Sequence, residues 1–234
     1  ARVTVGVAGG SVPQIRQICY EVGGRDKFEA LARVLDYEQP TSAIVFCRTK
    51  LEVDSLGDRL VGRAYPAETL HGDLSQVQRD RVMQRFRAGQ AEILVATDVA
   101  ARGLDVEQIS HVINYDIPHD PENYVHRIGR TGRAGRTGCA ITLVTPRERR
   151  GLQNIARATG ADIQRQNLPT VGDVLVRRRE QFKETLQETI AGEGLEPFVI
   201  LAESMGEEYS PTLLAAAAFK LLLGEQALER LAAD

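Results

Sequence analysis

Seven arginines fall between residues 126 and 150, against a single acid, Glu148. Within that strip Arg127, Arg130 and Arg133 recur every three residues, interrupted by Gly129 and Gly132. Each glycine inside a helix costs ~1 kcal/mol relative to alanine, so the spacing suits a helix end that opens into a loop. A loop of this kind lets guanidinium groups converge on an anion. The arginine fork fits phosphate oxygens two at a time and keeps its charge. An arginine that reaches a transferring γ-phosphate is worth ~10³–10⁵ in rate in phosphoryl-transfer enzymes. The structural alternative is a solvated Arg-Gly turn.

Three further stretches carry polar groups at positions where a strand should end. Phe46-Cys-Arg-Thr-Lys50 is the first. In the second, which begins Leu70-His-Gly72, Gln76 and Arg79 stand three apart on one helix face, and Ser75 is a fair N-cap. That helix start can also take a phosphate on its N–H groups. His71 is better read as a packed, hydrogen-bonded histidine than as a catalyst. The third is Ala96-Thr-Asp-Val-Ala-Ala-Arg-Gly-Leu-Asp105. Here the Thr97 hydroxyl and nearby N–H groups suit a nucleic-acid phosphate, and Asp105 suits ribose hydroxyls. Alternatively, Thr97 and Asp98 cap the following turn.

These residues need a scaffold, and the hydropathy pattern specifies one. Strand-like runs at Ile15–Val22, Ala43–Cys47, Thr69–His71, Ile93–Thr97, His111–Tyr115 and Cys139–Thr145 alternate with helical patterns. The helices are expected at Asp26–Tyr37, Lys50–Val61, Ser75–Ala88, Pro121–Ile128 and Arg147–Thr159, followed by a short extended piece at Ala161–Asn167. Ala-Ile-Val-Phe-Cys and Ile-Leu-Val-Ala-Thr are apolar without a break, as strands covered on both faces are. The alternation predicts an α/β domain with a parallel sheet between helices. Such sheets bind ligands in loops at the carboxyl ends of their strands, where the three strand-end stretches fall.

Leu168-Pro169-Thr170 breaks the pattern. Beyond it, Val171–Ala191, Pro197–Glu207 and Ser210–Leu231 read as three helices, with Ser210 as N-cap and Pro211 at the first helical position. The third is apolar nearly all round and should be buried on more than one side. The expected organisation is a lead-in at 1–14, an α/β domain at 15–168 and a small all-helical extension at 171–234.

The 234 residues carry a net charge of −3, unevenly spread. Residues 171–234 hold 6 basic and 12 acidic side chains, so residues 1–170 are net positive. A basic strip on an acidic protein points to a phosphate-bearing partner at one face. No run of ~18 uncharged apolar residues exists, which excludes a membrane-spanning helix. The three cysteines, Cys19, Cys47 and Cys139, form no CxxC pair and no metal-ligand spacing, so buried free thiols in a reducing cytoplasm are expected and no metal site.

In order, these motifs resemble the second RecA-like domain of DEAD-box RNA helicases over residues 1 to about 160. Phe46-Cys-Arg-Thr resembles motif IV, Gln76-Val-Gln-Arg79 the QxxR motif, Ala96–Asp105 motif V, and His126–Arg133 a full motif VI, HRIGRTGR. The extension resembles that of bacterial dimer-forming members. The resemblance implies an ATP-dependent RNA helicase and assigns roles. Arg130 and Arg133 match arginine fingers on the γ-phosphate, and Asp105 the motif V acid near the ATP ribose. His126 matches the histidine that links to the partner lobe, while Arg127 matches a motif VI position of less defined role. Thr49, Gly72, Gln76, Arg79 and Thr97 match positions at or beside the RNA backbone. No GxxxxGK[ST] loop and no Asp-Glu-Ala-Asp tetrad occur in the chain. In the family these lie on the N-terminal RecA-like lobe, which holds ATP and magnesium, so this chain should supply half of a composite site and be inactive alone. The implied partners are RNA, that lobe, and a second copy of the chain through residues 171–234. The rival reading is a non-catalytic RNA-binding and assembly module.

Overall fold

The structure, a computed structural model, describes residues 15–101, 109–133 and 135–223. The expected lead-in at 1–14 lies outside the described residues. The chain divides into two compact units, one ending at Leu168 and the other starting at Pro169.

The first unit alternates strands and helices: β1 (Ile15–Glu21), α1 (Lys27–Glu38), β2 (Ala43–Phe46), α2 (Lys50–Val61), β3 (Ala67–Leu70), α3 (Gln76–Arg87), β4 (Ile93–Ala96), α4 (Asp98–Ala101), β5 (His111–Asn114), α5 (Pro121–Ile128), β6 (Gly138–Val144), α6 (Arg149–Thr159) and β7 (Gln164–Gln166). The seven strands form one sheet in the order β3-β4-β2-β5-β6-β1-β7. Every pairing is parallel. All carboxyl ends therefore share one edge.

The sheet is apolar on both faces because its central strands alternate between two cores. Val45 and Cys47 join Ile93, Val95, Ile113 and the α1 and α2 side chains Leu31, Val34, Val53 and Leu56 on one face. Ile44 and Phe46 join Leu94, Ala96, Val112 and the α3 side chains Met83 and Phe86 on the other. A period of two with no polar turn is what an unbroken apolar run becomes in an extended strand. Burying one such side chain contributes ~1.5–3 kcal/mol, so these central strands hold the loop ends in place.

Local sequence sets the helix starts. Thr49 caps α2 in a reciprocal box with Glu52, and Ser75 caps α3 in the same way with Gln78. Asp120 caps α5, with Pro121 at its first position. Several expectations shift. The third strand begins at Ala67 rather than Thr69, and α6 begins at Arg149 rather than Arg147. The one-turn α4 replaces an expected plain turn. Cys47 and Cys139 are buried, whereas Cys19, on a strand next to the sheet margin, is half-buried.

Among the described residues the second unit holds α7 (Val171–Ala191), α8 (Glu196–Met205) and α9 (Pro211–Leu223); the expected run of the last helix to Leu231 extends outside the described residues. Thr170 caps α7 in a box with Asp173, and the Ser210 hydroxyl accepts the Leu213 N–H at 3.3 Å. Phe182 and Phe219 meet edge to face at 5.1 Å between centroids. The expectation that the last helix is buried on several sides fails for the single chain. Leu213 is 55% exposed and Leu221 86% exposed. A helix apolar all round needs more than two neighbours, and α7 and α8 cannot surround it.

Candidate functional site

The carboxyl edge of the sheet gathers the motif residues in the order of its strands. The loops after β3, β4 and β2 are neighbours and carry Gly72, Thr97 and Thr49 respectively. The next strand, β5, leads into α5 and so to Arg130 and Arg133. Asp105 lies outside the described residues.

Cross-links stitch these loops together. Lys50 Nζ donates to Asp73 at 2.5 Å, joining the start of α2 to the loop after β3. Arg79 donates to the Ala100 carbonyl at 3.2 Å, joining α3 to α4. Gln76 is exposed, and its amide donates to Asp80 at 2.8 Å. Thr49 is exposed, and its hydroxyl serves the α2 cap. Gly72 is open: a Cβ there would meet nothing within 4 Å. Thr97 is half-buried at the β4–α4 turn, where its carbonyl accepts the Ala101 N–H at 3.0 Å. His71 is buried, with Nε2 2.9 Å from Asp54, a packed histidine as the sequence suggested.

Motif VI is held by a residue whose role the sequence left open. Arg127 is only 3% exposed. Its Nε and NH2 donate to the two oxygens of Asp98 at 2.6 and 2.8 Å, a bidentate pair between α5 and α4. Its NH1 donates to Asn114 Oδ1 at 3.0 Å and to the Asp116 carbonyl at 2.7 Å. The guanidinium also lies over the Phe46 ring. The Asp98 carboxylate is thus spent on Arg127.

A second buried ionic group extends this one. Lys27 Nζ lies 3.0 Å from Asp116 and 3.4 Å from Glu148. The other Asp116 oxygen accepts the Arg48 N–H at 3.1 Å, which fixes the loop in front of Thr49. Burial opposes ionisation of Glu148, but hydrogen bonds from the Thr145 N–H and hydroxyl, with Lys27 beside it, hold its carboxyl below the ordinary value. Sequence reasoning missed Lys27, Asp116 and Glu148. Lys27 and Asp116 are 89 positions apart, and no local pattern pairs them.

Beyond Arg127 the chain turns. Gly129 closes α5, and Gly132 takes φ 68°, a left-handed conformation natural only to glycine. Thr131 is buried and shares its hydroxyl proton between the Ile109 and Ser110 carbonyls. Gly138 must lack a side chain, because a Cβ would sit 2.6 Å from the Gly132 nitrogen. The turn is therefore locked against the starts of β5 and β6. Arg130 is half-buried, and burial and the neighbouring Arg133 guanidinium both push its pKa down. It stays charged, since a guanidinium titrates far above neutral pH. Arg133 is exposed, with Nε on the Gly129 carbonyl at 2.7 Å. His126 is exposed and stands 4.0 Å from Glu122. Phe46, Asp98, Asn123, His126, Arg127 and Arg130 line a small cleft at this edge. Chemically, the edge offers two close guanidinium groups, an imidazole and an open glycine backbone, a surface for phosphate.

The helicase conserved C-terminal domain family matches residues 26–135, and the RNA helicase DeaD dimerization domain family matches residues 169–232. The DEAD-box ATP-dependent RNA helicase CshA of Geobacillus kaustophilus is 48% identical over 215 residues, which cover 92% of this chain and 46% of that one. The chain spans less than half the length of the curated CshA relatives it matches. The solved C-terminal domain of the DEAD-box protein Dbp5 superposes with a TM-score of 0.64 at 35% identity, covering 70% of this chain and 96% of that one. Saccharomyces cerevisiae Dbp5 bound to RNA and ADP BeF3 superposes with a TM-score of 0.65 at 33% identity, covering 72% of this chain and 46% of that one. Fold and matches together define a helicase C-terminal domain of RecA-like type. The chain belongs to the DEAD-box RNA helicases, as the C-terminal RecA-like domain followed by the dimerisation extension of that family.

Proposed function

We propose that this chain is the C-terminal lobe of a cytoplasmic ATP-dependent RNA helicase. On this reading Arg130 and Arg133 complete an ATP site whose phosphate loop and magnesium ligands stand on the N-terminal RecA-like lobe. The observation that carries it is the paired guanidinium groups on a turn that Arg127, Asp98 and Thr131 hold rigid. A passive RNA surface has no need for two arginines on a turn anchored so firmly. Exposed His126 is free to meet the partner lobe. The loops with Thr49, Gly72 and Thr97, and the face of α3 with Gln76 and Arg79, follow the RNA backbone, and Asp105 meets the ATP ribose. The two lobes close on ATP and RNA together, so hydrolysis is gated by closure. A bound strand bent in the closed state loses pairing locally, which couples turnover to unwinding.

The extension is proposed to join two copies. Phe198, Ile200 and Leu201 on α8 and Leu213, Leu221 and Leu222 on α9 are each more than half exposed in the single chain.

The test joins the chain to a DEAD-box N-terminal lobe and measures RNA-stimulated ATP turnover and single-strand affinity. The chain alone should give no turnover. In the joined protein Arg130→Ala should lower turnover by ~10³ with little change in RNA affinity, because a charge that meets the γ-phosphate in the closed state acts on the transition state. Turnover by the chain alone, or lost RNA affinity with normal turnover, would reverse the assignment.

A further inference from the structure

The opposite edge of the sheet holds a cluster of three residues that belong to none of the family's motifs. Glu38 ends α1, His111 begins β5, and Cys139 is the second residue of β6. Their ligand atoms all lie within 4.8 Å of one another. His111 Nε2 is already 3.6 Å from Glu38 Oε2. Around a tetrahedral zinc ion with bonds of ~2.0–2.3 Å, neighbouring ligand atoms stand ~3.3–3.7 Å apart. The cluster needs to close by ~1 Å at most to reach that geometry.

Hydrogen bonds fix which histidine nitrogen faces the cluster. The Ser110 hydroxyl gives its proton to the Ser42 carbonyl at 2.6 Å. Its oxygen can therefore only accept at the 3.0 Å contact with His111 Nδ1, which puts the proton on Nδ1. Nε2 is then the ring nitrogen that faces the Glu38 carboxylate, at 3.6 Å. A second ring N–H held by a hydroxyl that is itself anchored is also how metal-binding imidazoles are oriented. The Glu38 side chain is 10% exposed, and its other oxygen, Oε1, is buried with no hydrogen-bond partner. Arg16 supplies positive charge from one side, donating to Glu38 at 2.6 Å and to Cys139 Sγ at 3.3 Å. That side chain is half exposed and can swing into solvent.

We propose that Glu38, His111 and Cys139 form a binding site for one divalent transition-metal ion of the zinc type, with the fourth position left to water. The mix of one thiolate, one imidazole and one carboxylate suits zinc or cobalt better than magnesium or calcium, which prefer oxygen alone. A metal–sulfur bond needs the thiolate, so binding releases the Cys139 thiol proton to solvent, and Arg16 leaves as the ion enters. Metal and guanidinium compete for the same anionic groups. An occupied site would bolt the end of α1 to the starts of β5 and β6, away from the carboxyl edge.

The test is a cobalt(II) titration of the 234-residue chain, with zinc displacement and thermal unfolding alongside. One cobalt per chain should bind, with a thiolate-to-cobalt charge-transfer band and tetrahedral absorption, and zinc should abolish both and raise the unfolding midpoint. Cys139→Ser should remove the charge-transfer band. His111→Gln should weaken binding by more than about tenfold, whereas Ser110→Ala should weaken it by about tenfold while leaving the band. Arg16→Gln should tighten binding, which an adventitious surface site would not do. Circular dichroism of the metal-free variants checks folding, and Arg16→Gln, at a half-exposed residue, keeps the test open should Cys139→Ser not fold. A charge-transfer band that survives Cys139→Ser, affinity unmoved by Arg16→Gln, or no binding at micromolar metal would overturn the proposal.

Discussion

The residue that organises the carboxyl edge is Arg127 rather than the two arginines that follow it. Its guanidinium satisfies Asp98, Asn114 and the Asp116 carbonyl at once. Removing one partner of a buried pair leaves the other charge uncompensated, which costs ~3–5 kcal/mol. Asp98 retains 30% exposure, so the lower end applies. Arg127→Ala should lose about 3 kcal/mol in urea unfolding, and a loss below about 1 kcal/mol would show that the edge stands without it. Glu148 belongs to the same scale. Its pKa in the folded chain lies below the ordinary 4.5, so its ionised form stabilises the fold above that value. The contribution disappears as pH falls through the lower folded pKa. Urea midpoints from pH ~6 to ~3 should fall on the acid side, and Glu148→Gln should flatten that limb. An equal slope in the variant would remove Glu148 from the acid response.

At the scale of elements, α3 is the piece with two roles. Its face carries Gln76 and Arg79 toward the proposed RNA path, yet Arg79 also donates to the α4 carbonyl of Ala100. A phosphate and a carbonyl can share one five-donor guanidinium, so the two roles are compatible. Arg79→Ala should lower single-strand affinity and reduce the log–log salt slope by ~0.7, the share of one phosphate. Weaker binding with an unchanged slope would mean that Arg79 acts only by holding α4 in place. The same logic explains the motif VI turn. Its two glycines are demanded by a helix end and by a left-handed residue, and Gly138 by the backbone packed against it.

At the scale of the molecule, nearly all the buried apolar side chains among the described residues lie in the first unit, while α8 and α9 leave large apolar side chains exposed. The extension is also its acidic part, which disfavours contact with RNA phosphates. A two-fold pairing covers the same face on both copies and is the commonest closed assembly. Light scattering of the chain should give about twice its mass, and a chain ending at Leu168 should be monomeric. A monomer at micromolar concentration would refute assembly through residues 171–234.

The sequence alone determined whatever depends on neighbours a few positions apart. Apolar runs bounded by Thr49, Ser75, Pro121 and Gly129 specified the strands and helices, because period, cap and turn chemistry are local. The parallel α/β class followed from their alternation, and the family from four motifs in order. Fold and sequence diverged where a residue's partner lies far along the chain. Arg127 read as a motif VI arginine of undefined role until the sheet order brought α4 and α5 together around it. Lys27, Asp116 and Glu148 carried no local signal, since charge pairing across the fold leaves no period. The same holds at the other edge, where Glu38, His111 and Cys139 lack any ligand spacing along the chain. Parallel strands start at one edge wherever they stand in the sequence, and α1 ends at that same edge, which brings the three together.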